Sequence, residues 1–399
     1  MTKIAQIIII TGSFSMGLLL PITNLILLDK GATLQTLPLL LAIYSFTVLV
    51  FELPSGMLAD FLGRKTIYFI SCILKLIALA LLLVVSNPNW FILIMFLNGL
   101  NRSFSSGSMD ALFIDQAITA SGTGILSKVI SRMSILEGIG LASGGIAGGF
   151  LASLSSSYDT VILSCLFLNI LLILLSLFGV KEAKLPRSHQ KNSSFFSKIR
   201  IELNRFSFSP NIHILLISTF LTGFFLSTIE TYWQPAFQAI QKNNSNHIWM
   251  FGILSFLGFI AITFGNFTIG KIMFHIKDKW WTFFYFSRTL FGFFIIAFAL
   301  QKSGVGFILF YTMIYFSFGI CNVIENTLLN EMIPNHLRSS FLSFYSLILQ
   351  IGSLFASLFS SLLIRQIHMN GLWLVSGSLV AGYAIYITFK KASTTDGSK

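Results

Sequence analysis

ELPSGMLADFLGRK, residues 52–65, decides how this chain is read. It places Glu52, Asp60, Arg64, Lys65 and two glycines, Gly56 and Gly63, between two runs of almost unbroken apolar sequence. A polar break of that kind means one thing in water and another in lipid, so the solvent comes first.

Of the 399 residues, 55% are hydrophobic and 10% are charged, whereas soluble domains carry about 25% charged residues. The solvent is lipid. A hydrocarbon core about 30 Å thick takes about 20 apolar residues per helix. The sequence predicts twelve such spans, at 4–28, 37–57, 66–85, 90–111, 127–153, 159–180, 210–232, 248–274, 280–300, 304–329, 340–364 and 370–390. The opening run has the weakly basic start of a signal peptide, but no small-residue cleavage site follows and it stays apolar to Leu28, so it reads as the first helix. The connections are short and polar except one. The expected organisation is therefore an N-terminal six-helix bundle at 1–181, a basic cytoplasmic linker at 182–209 and a C-terminal six-helix bundle at 210–399. The fold class is an all-α membrane protein with two pseudo-symmetric bundles.

Lys and Arg are retained on the cytoplasmic side during insertion. With the N-terminus inside, eighteen of the 26 bases fall on inner loops and tails and four, Lys30, Lys242, Lys302 and Arg365, on outer loops. The chain is expected in the inner (cytoplasmic) membrane of a bacterial cell, multi-pass, with both termini in the cytoplasm and as a monomer. The net charge of +12 is then an inner-face property that anionic headgroups explain, and nucleic acid is not an expected partner. Cys72, Cys165 and Cys321 all lie within spans, with no CxxC pair, and read as inert packing residues.

The chain repeats itself weakly. MDALFIDQ at 109–116 can be laid on IENTLLNE at 324–331 with an offset of 215, which puts Asp110 on Glu325 and Asp115 on Asn330. Paired halves are common in transporters.

The opening stretch closely resembles the loop signature of the major facilitator superfamily, written G-x-L-a-D-r-x-G-r-K. Gly56, Leu58, Asp60, Gly63, Arg64 and Lys65 match it, and Phe61 replaces its usual base. In physical terms, Gly56 permits close helix approach and Gly63 a turn that a Cβ would hinder. The resemblance implies a latch on the inner face: Asp60 against a helix N-terminus of the other half, and Arg64 paired with an acid, with Asp110 and Asp115 as candidates. Glu52 and Glu325, close to the same face, are expected to join that network. GKIMFHIKDK at 270–279 is a degenerate second copy, with Phe274 where the aspartate would stand.

Charges predicted inside the bilayer are the candidate coupling and binding groups. Arg102 and Glu137 share a depth on adjacent helices, and an unpaired charge there costs about 2.5–3.5 kcal/mol, so an ion pair is expected. NGLNRSFSSG also resembles the superfamily's fourth-helix arginine signature, with Arg102 as that arginine. A Glu137 exchanging between Arg102, a proton and substrate would couple protonation to transport; a fixed salt bridge is the alternative. Arg132 is placed to pair with Asp110. Glu230 precedes Tyr232, Trp233 and Gln234, as a ligand contact at the outer mouth or as part of an interfacial aromatic belt. Arg288 is placed to attract an anionic substrate. Lys75 has no explanation in the sequence. Among the aromatics, Phe224, Tyr315, Phe318 and Tyr345 are candidates to line a cavity, with plain packing as the alternative.

The fifth span contains EGIGLASGGIAGGFL, with Gly140, Gly144, Gly145, Gly148 and Gly149 at GxxxGGxxGG spacing. It resembles the superfamily's antiporter motif G-x-x-x-G-P-x-x-G-G with Gly145 in place of proline, which implies export; small-residue helix packing is the other reading. The histidines, at 189, 213, 247, 275, 336 and 368, lack ligand spacing, and no phosphate loop is present. The expectation is no enzyme activity, no cofactor and no metal. The resemblance implies a proton-coupled antiporter exporting a small amphipathic molecule such as a drug, as in multidrug efflux and resistance. An endogenous metabolite such as a carboxylate siderophore is the alternative cargo, and an importer is the weakest reading.

Overall fold

Where the sequence predicts a connection at 58–65, the chain stays helical. A single non-helical residue, Gly63 at φ 98° and ψ 138°, separates α3 (Leu37–Leu62) from α4 (Arg64–Val84). Most residues other than glycine avoid positive φ because the Cβ meets the backbone carbonyl, so Gly63 alone makes the turn. The structure, a computed structural model, describes residues 3–85, 87–106, 108–109, 112–114, 116, 126–154, 157–180, 210–241, 248–272, 279–333 and 338–396.

The chain begins with α1 (Lys3–Leu19) and α2 (Thr23–Asp29), one span bent by 45° at its break. Pro21 sits in that break and supplies no N–H, which is why the ladder stops there. After α4 come α5 (Phe91–Ser106), α6 (Leu126–Ser153) and α7 (Asp159–Leu174), which closes in a π-turn at Leu175–Gly179. Then follow α8 (Pro210–Ile240), α9 (Trp249–Ile272), α10 (Trp280–Ala299), α11 (Gly304–Met332) and α12 (Arg338–Asp396). His368, at φ 55° and ψ 178°, divides α12 into two arms. Among the described residues, eight helices are long and apolar enough to cross a membrane individually, nine with the bent α1–α2 pair. With α3, α5 and the two arms of α12 counted separately, the order of twelve spans expected from sequence is recovered. The fold is all-helical throughout the described residues.

By packing, the chain forms two compact units, Met1–Lys184 with Glu230–Phe259, and Leu185–Ile229 with Ile260–Lys399. In the first, α1 and α6 approach along glycines. Gly140, Gly144 and Gly148, four apart and so on one face, leave no space for a Cβ. One at Gly140 would lie 2.7 Å from Ser13 Cβ, and those at Gly144 and Gly148 would strike the carbonyls of Phe14 and Leu18. Gly149 meets Gly252 of α9 in the same way. Gly145 does not: its Cβ would make an ordinary 3.6 Å contact with Ser255. α3 and α5 meet through Gly99 against Thr47 and through Ser55, whose hydroxyl donates to Ser103 O at 2.8 Å.

The second unit repeats this plan. Gly223 and Gly352 press on the carbonyls of Leu349 and Phe220, joining α8 to the first arm of α12, while Gly265 and Gly319 press on Phe316 and Ile262, joining α9 to α11. First-with-fifth and second-with-fourth pairing through glycine thus occurs in both halves of the sequence. The small residues let helix backbones approach where lipid offers no hydrophobic incentive to associate.

Candidate functional site

Within the second unit, α8, α10 and α11 bring their polar side chains to one buried cluster. Arg288 on α10 is ion-paired through Nη2 to Glu325 Oε2 on α11, with side chains 4% and 1% exposed. Arg288 Nη1 donates to Thr222 Oγ1 at 2.6 Å. The Thr219 hydroxyl lies 2.8 Å from both Glu325 Oε1 and Leu215 O, and its one proton serves one acceptor at a time. Thr219 and Thr222 are three apart on α8, which puts both hydroxyls on one face. Arg288 Nε has no hydrogen-bond partner among the described residues, and the guanidinium carbon lies 5.7 Å from the Phe284 ring centroid. Cys321 and Tyr345 are the titratable neighbours.

Arg288, expected as an anion receptor, and Glu325, expected in an inner-face latch, are here paired with one another. Each is committed to the other because neither charge is tolerated alone in an apolar bundle. Chemically the cluster is a carboxylate whose protonation would release a buried guanidinium and the Thr219 hydroxyl.

In the first unit the expected Arg102–Glu137 ion pair is not formed. Arg102 is exposed and Glu137 half-buried, and neither has an ion-pair partner among the described residues. Arg102 lies within electrostatic reach of Tyr44 on α3. An exposed guanidinium this far along a membrane helix requires water on that face, since lipid would penalise it. Arg132 Nη2 donates to Gln6 Oε1 at 3.4 Å; Asp110, its expected partner, lies outside the described residues. Lys75 gains an account: its ammonium donates to Asn98 Oδ1 at 2.9 Å, between α4 and α5.

Of the latch residues, the side chain of Asp60, with Asp110 and Asp115, lies outside the described residues. Lys65 donates to Leu177 O at 2.7 Å, tying α4 to the π-turn after α7. Around Gly56 no described atom lies within 4 Å of where a Cβ would be, so no close helix approach depends on it among those residues. Glu52 is exposed. Tyr232 and Trp233 are fully buried, which removes the belt reading, while the Glu230 side chain is exposed. Phe224 and Tyr315 pack on Phe359 and Tyr311, with ring centroids at 5.6 and 4.7 Å, and Phe318 on Phe291 at 6.2 Å.

Sequence reasoning missed Thr219 and Thr222, two of several hydroxyls spread along α8. It also missed Asn24 and Gln234, both buried at 4% and 2% exposure. Their only sequence signal is an amide near a proline inside a span.

Comparisons with known proteins agree with this architecture. The family model described as Major Facilitator Superfamily matches residues 4–357. A Bacillus subtilis (strain 168) protein described as the uncharacterized MFS-type transporter YxaM is 25% identical over 252 residues, covering 62% of this chain and 62% of that protein's length. Two crystal structures of the nucleoside transporter NupG, one of them a mutant, superpose with TM-scores of 0.80 and 0.79 at 16% and 14% identity. They cover 96% and 97% of this chain and 98% of each of theirs. Identity that low carries the fold alone.

Proposed function

The chain belongs to the Major Facilitator Superfamily, and from that premise we propose that it is a proton-coupled antiporter, exporting a small amphipathic organic molecule by alternating access. The observation that carries the proton coupling is the buried Arg288–Glu325 pair with its Thr219 and Thr222 ligands. A carboxylate so placed has two stable conditions. Ionised, it neutralises Arg288; protonated, it leaves a cation that must find water or another acceptor, and the bundle must rearrange to supply one. Proton uptake is thereby linked to conformation.

The moving bodies in this reading are the sequence halves 1–181 and 210–399, joined by 182–209, in a monomer with both termini in the cytoplasm of an inner membrane. Asp60 and Arg64, with Lys65, form the inner latch. Export rather than import rests on the glycine spacing of α6. Among those glycines, four serve helix contact, and Gly145, where the motif has proline, is the one whose Cβ would make only an ordinary contact. Glu137 is the competing proton carrier, and Arg102 with Glu230 the candidate substrate contacts.

Exporting a carboxylate-bearing metabolite is the second reading. It is favoured by Arg102, exposed and without an ion-pair partner among the described residues, which offers a cation to an anionic cargo now that Arg288 is committed elsewhere. Uptake into inside-out vesicles under an imposed pH gradient tests the proposal. A panel of cationic dyes set against aliphatic carboxylates separates the two cargoes, and flux indifferent to the gradient would sink the proton coupling.

A further inference from the structure

α1–α2 is broken at Pro21, and the otherwise continuous α8 loses one hydrogen bond of its ladder at Pro235; each gap is filled by an amide from the other helix. Had the first span stayed regular, Asn24 N–H would donate to Leu20 O, four residues back. At the Pro21 break that bond is absent, and the Gln234 amide bridges its two ends. Gln234 Oε1 accepts from Asn24 N at 3.0 Å, and its Nε2 donates to Leu20 O at 2.8 Å.

The converse holds on α8. Pro235 has no N–H, so Thr231 O lacks its usual donor. The Asn24 side chain supplies one: Nδ2 donates to Thr231 O at 3.1 Å and to Glu230 O at 2.7 Å. The amide orientations are fixed by these partners, since each nitrogen faces a carbonyl and the oxygen faces an N–H. Tyr232 adds a bond from its hydroxyl to Leu34 O at 3.1 Å.

An orphaned backbone group away from water costs about as much as a lost hydrogen bond. Neither helix is satisfied alone. We propose that the two proline gaps form one latch, in which Asn24 and Gln234 hold the α1–α2 junction to the last turns of α8, and which opens as a unit when water replaces the exchanged amides. The latch lies at the end of α1 opposite Lys3 and is independent of the Arg288–Glu325 cluster. It rests on the alternating-access reading only for its role in transport; its existence is tested by accessibility alone.

The test uses full-length detergent-purified protein carrying Ile22→Cys, a fully buried position at the break, reacted with a water-soluble maleimide. Rates are normalised to Phe61→Cys, which is 78% exposed; the native cysteines are buried. Gln234→Leu and Asn24→Leu should each raise the labelling rate about fivefold or more, as expected for losing about 1 kcal/mol of bonding. Their combination should add little, because either change alone breaks the exchange. Gln234→Glu guards against misfolding of the apolar variants. Ionised, it sets a carboxylate against Leu20 O and speeds labelling; protonated at low pH, it restores the donor and labelling falls back to the parent rate. Unchanged rates in both leucine variants overturn the latch. So does a Gln234→Glu variant that labels like the parent at every pH.

Discussion

Glu325 and Arg288 face one another from α11 and α10 with almost no solvent contact, and Thr219 and Thr222 of α8 hold one end of the pair each. Removing a single member leaves an uncompensated buried charge, a change worth about 3–5 kcal/mol, whereas replacing both by apolar residues of similar size is often neutral.

Arg288→Met alone should lower the unfolding temperature in detergent by several degrees. The Arg288→Met/Glu325→Leu double variant should recover most of the loss while abolishing any pH dependence of transport. Equal destabilisation in the single and double variants would count against a paired-charge account of the cluster.

The glycines of α6 should separate by position. A Cβ at Gly148 meets the Leu18 backbone, which cannot give way without moving α1, so Gly148→Ala should destabilise by about 1–3 kcal/mol. At Gly145, with 3.6 Å to Ser255 Cβ, alanine should be neutral or mildly stabilising, since glycine in a helix interior costs about 0.5–1 kcal/mol relative to alanine. Thermal melts of the two variants decide this, and equal losses at both positions would contradict the packing described.

Lys75 and Asn98 should behave asymmetrically. Lys75→Met removes a costly charge along with its partner's load and should leave stability unchanged or improved. Asn98→Leu keeps the ammonium but removes its acceptor, and should cost about 1–3 kcal/mol. Loss of stability in Lys75→Met greater than in Asn98→Leu would show that the lysine holds the bundle by another route.

Arg102 should face water. Arg102→Cys in native vesicles should react with a charged, water-soluble thiol reagent, and preloading with transported cargo should slow the reaction. A cysteine inert to that reagent and reactive to a lipid-soluble one would place this face of α5 in hydrocarbon.

Much of the fold is legible in the sequence because its determinants are local. Runs near 20 apolar residues set the spans, and glycines four apart mark a helix contact stripe whatever its partner. Helix partners are another matter. Arg288 and Glu325 lie on separate helices, and nothing in their neighbours states which face each presents. The internal repeat, by laying Glu325 on Asp110, pointed it toward the inner face instead. Arg102 and Glu137 were paired on depth alone, although equal depth on adjacent helices does not fix rotation about the helix axis. Pro21 and Pro235 each remove a backbone donor, but that the gap in one helix is filled from the other is a tertiary fact.

Proton coupling through Glu325 is tested most directly by cargo accumulation in proteoliposomes under an imposed pH gradient, with Glu325→Gln beside wild type and Glu137→Gln as comparison. Wild type should accumulate cargo against its gradient. The Glu325→Gln variant, purified to the same monodisperse state, should only equilibrate it, at a rate independent of pH. Gradient-driven accumulation persisting in Glu325→Gln, or disappearing only in Glu137→Gln, would contradict the account.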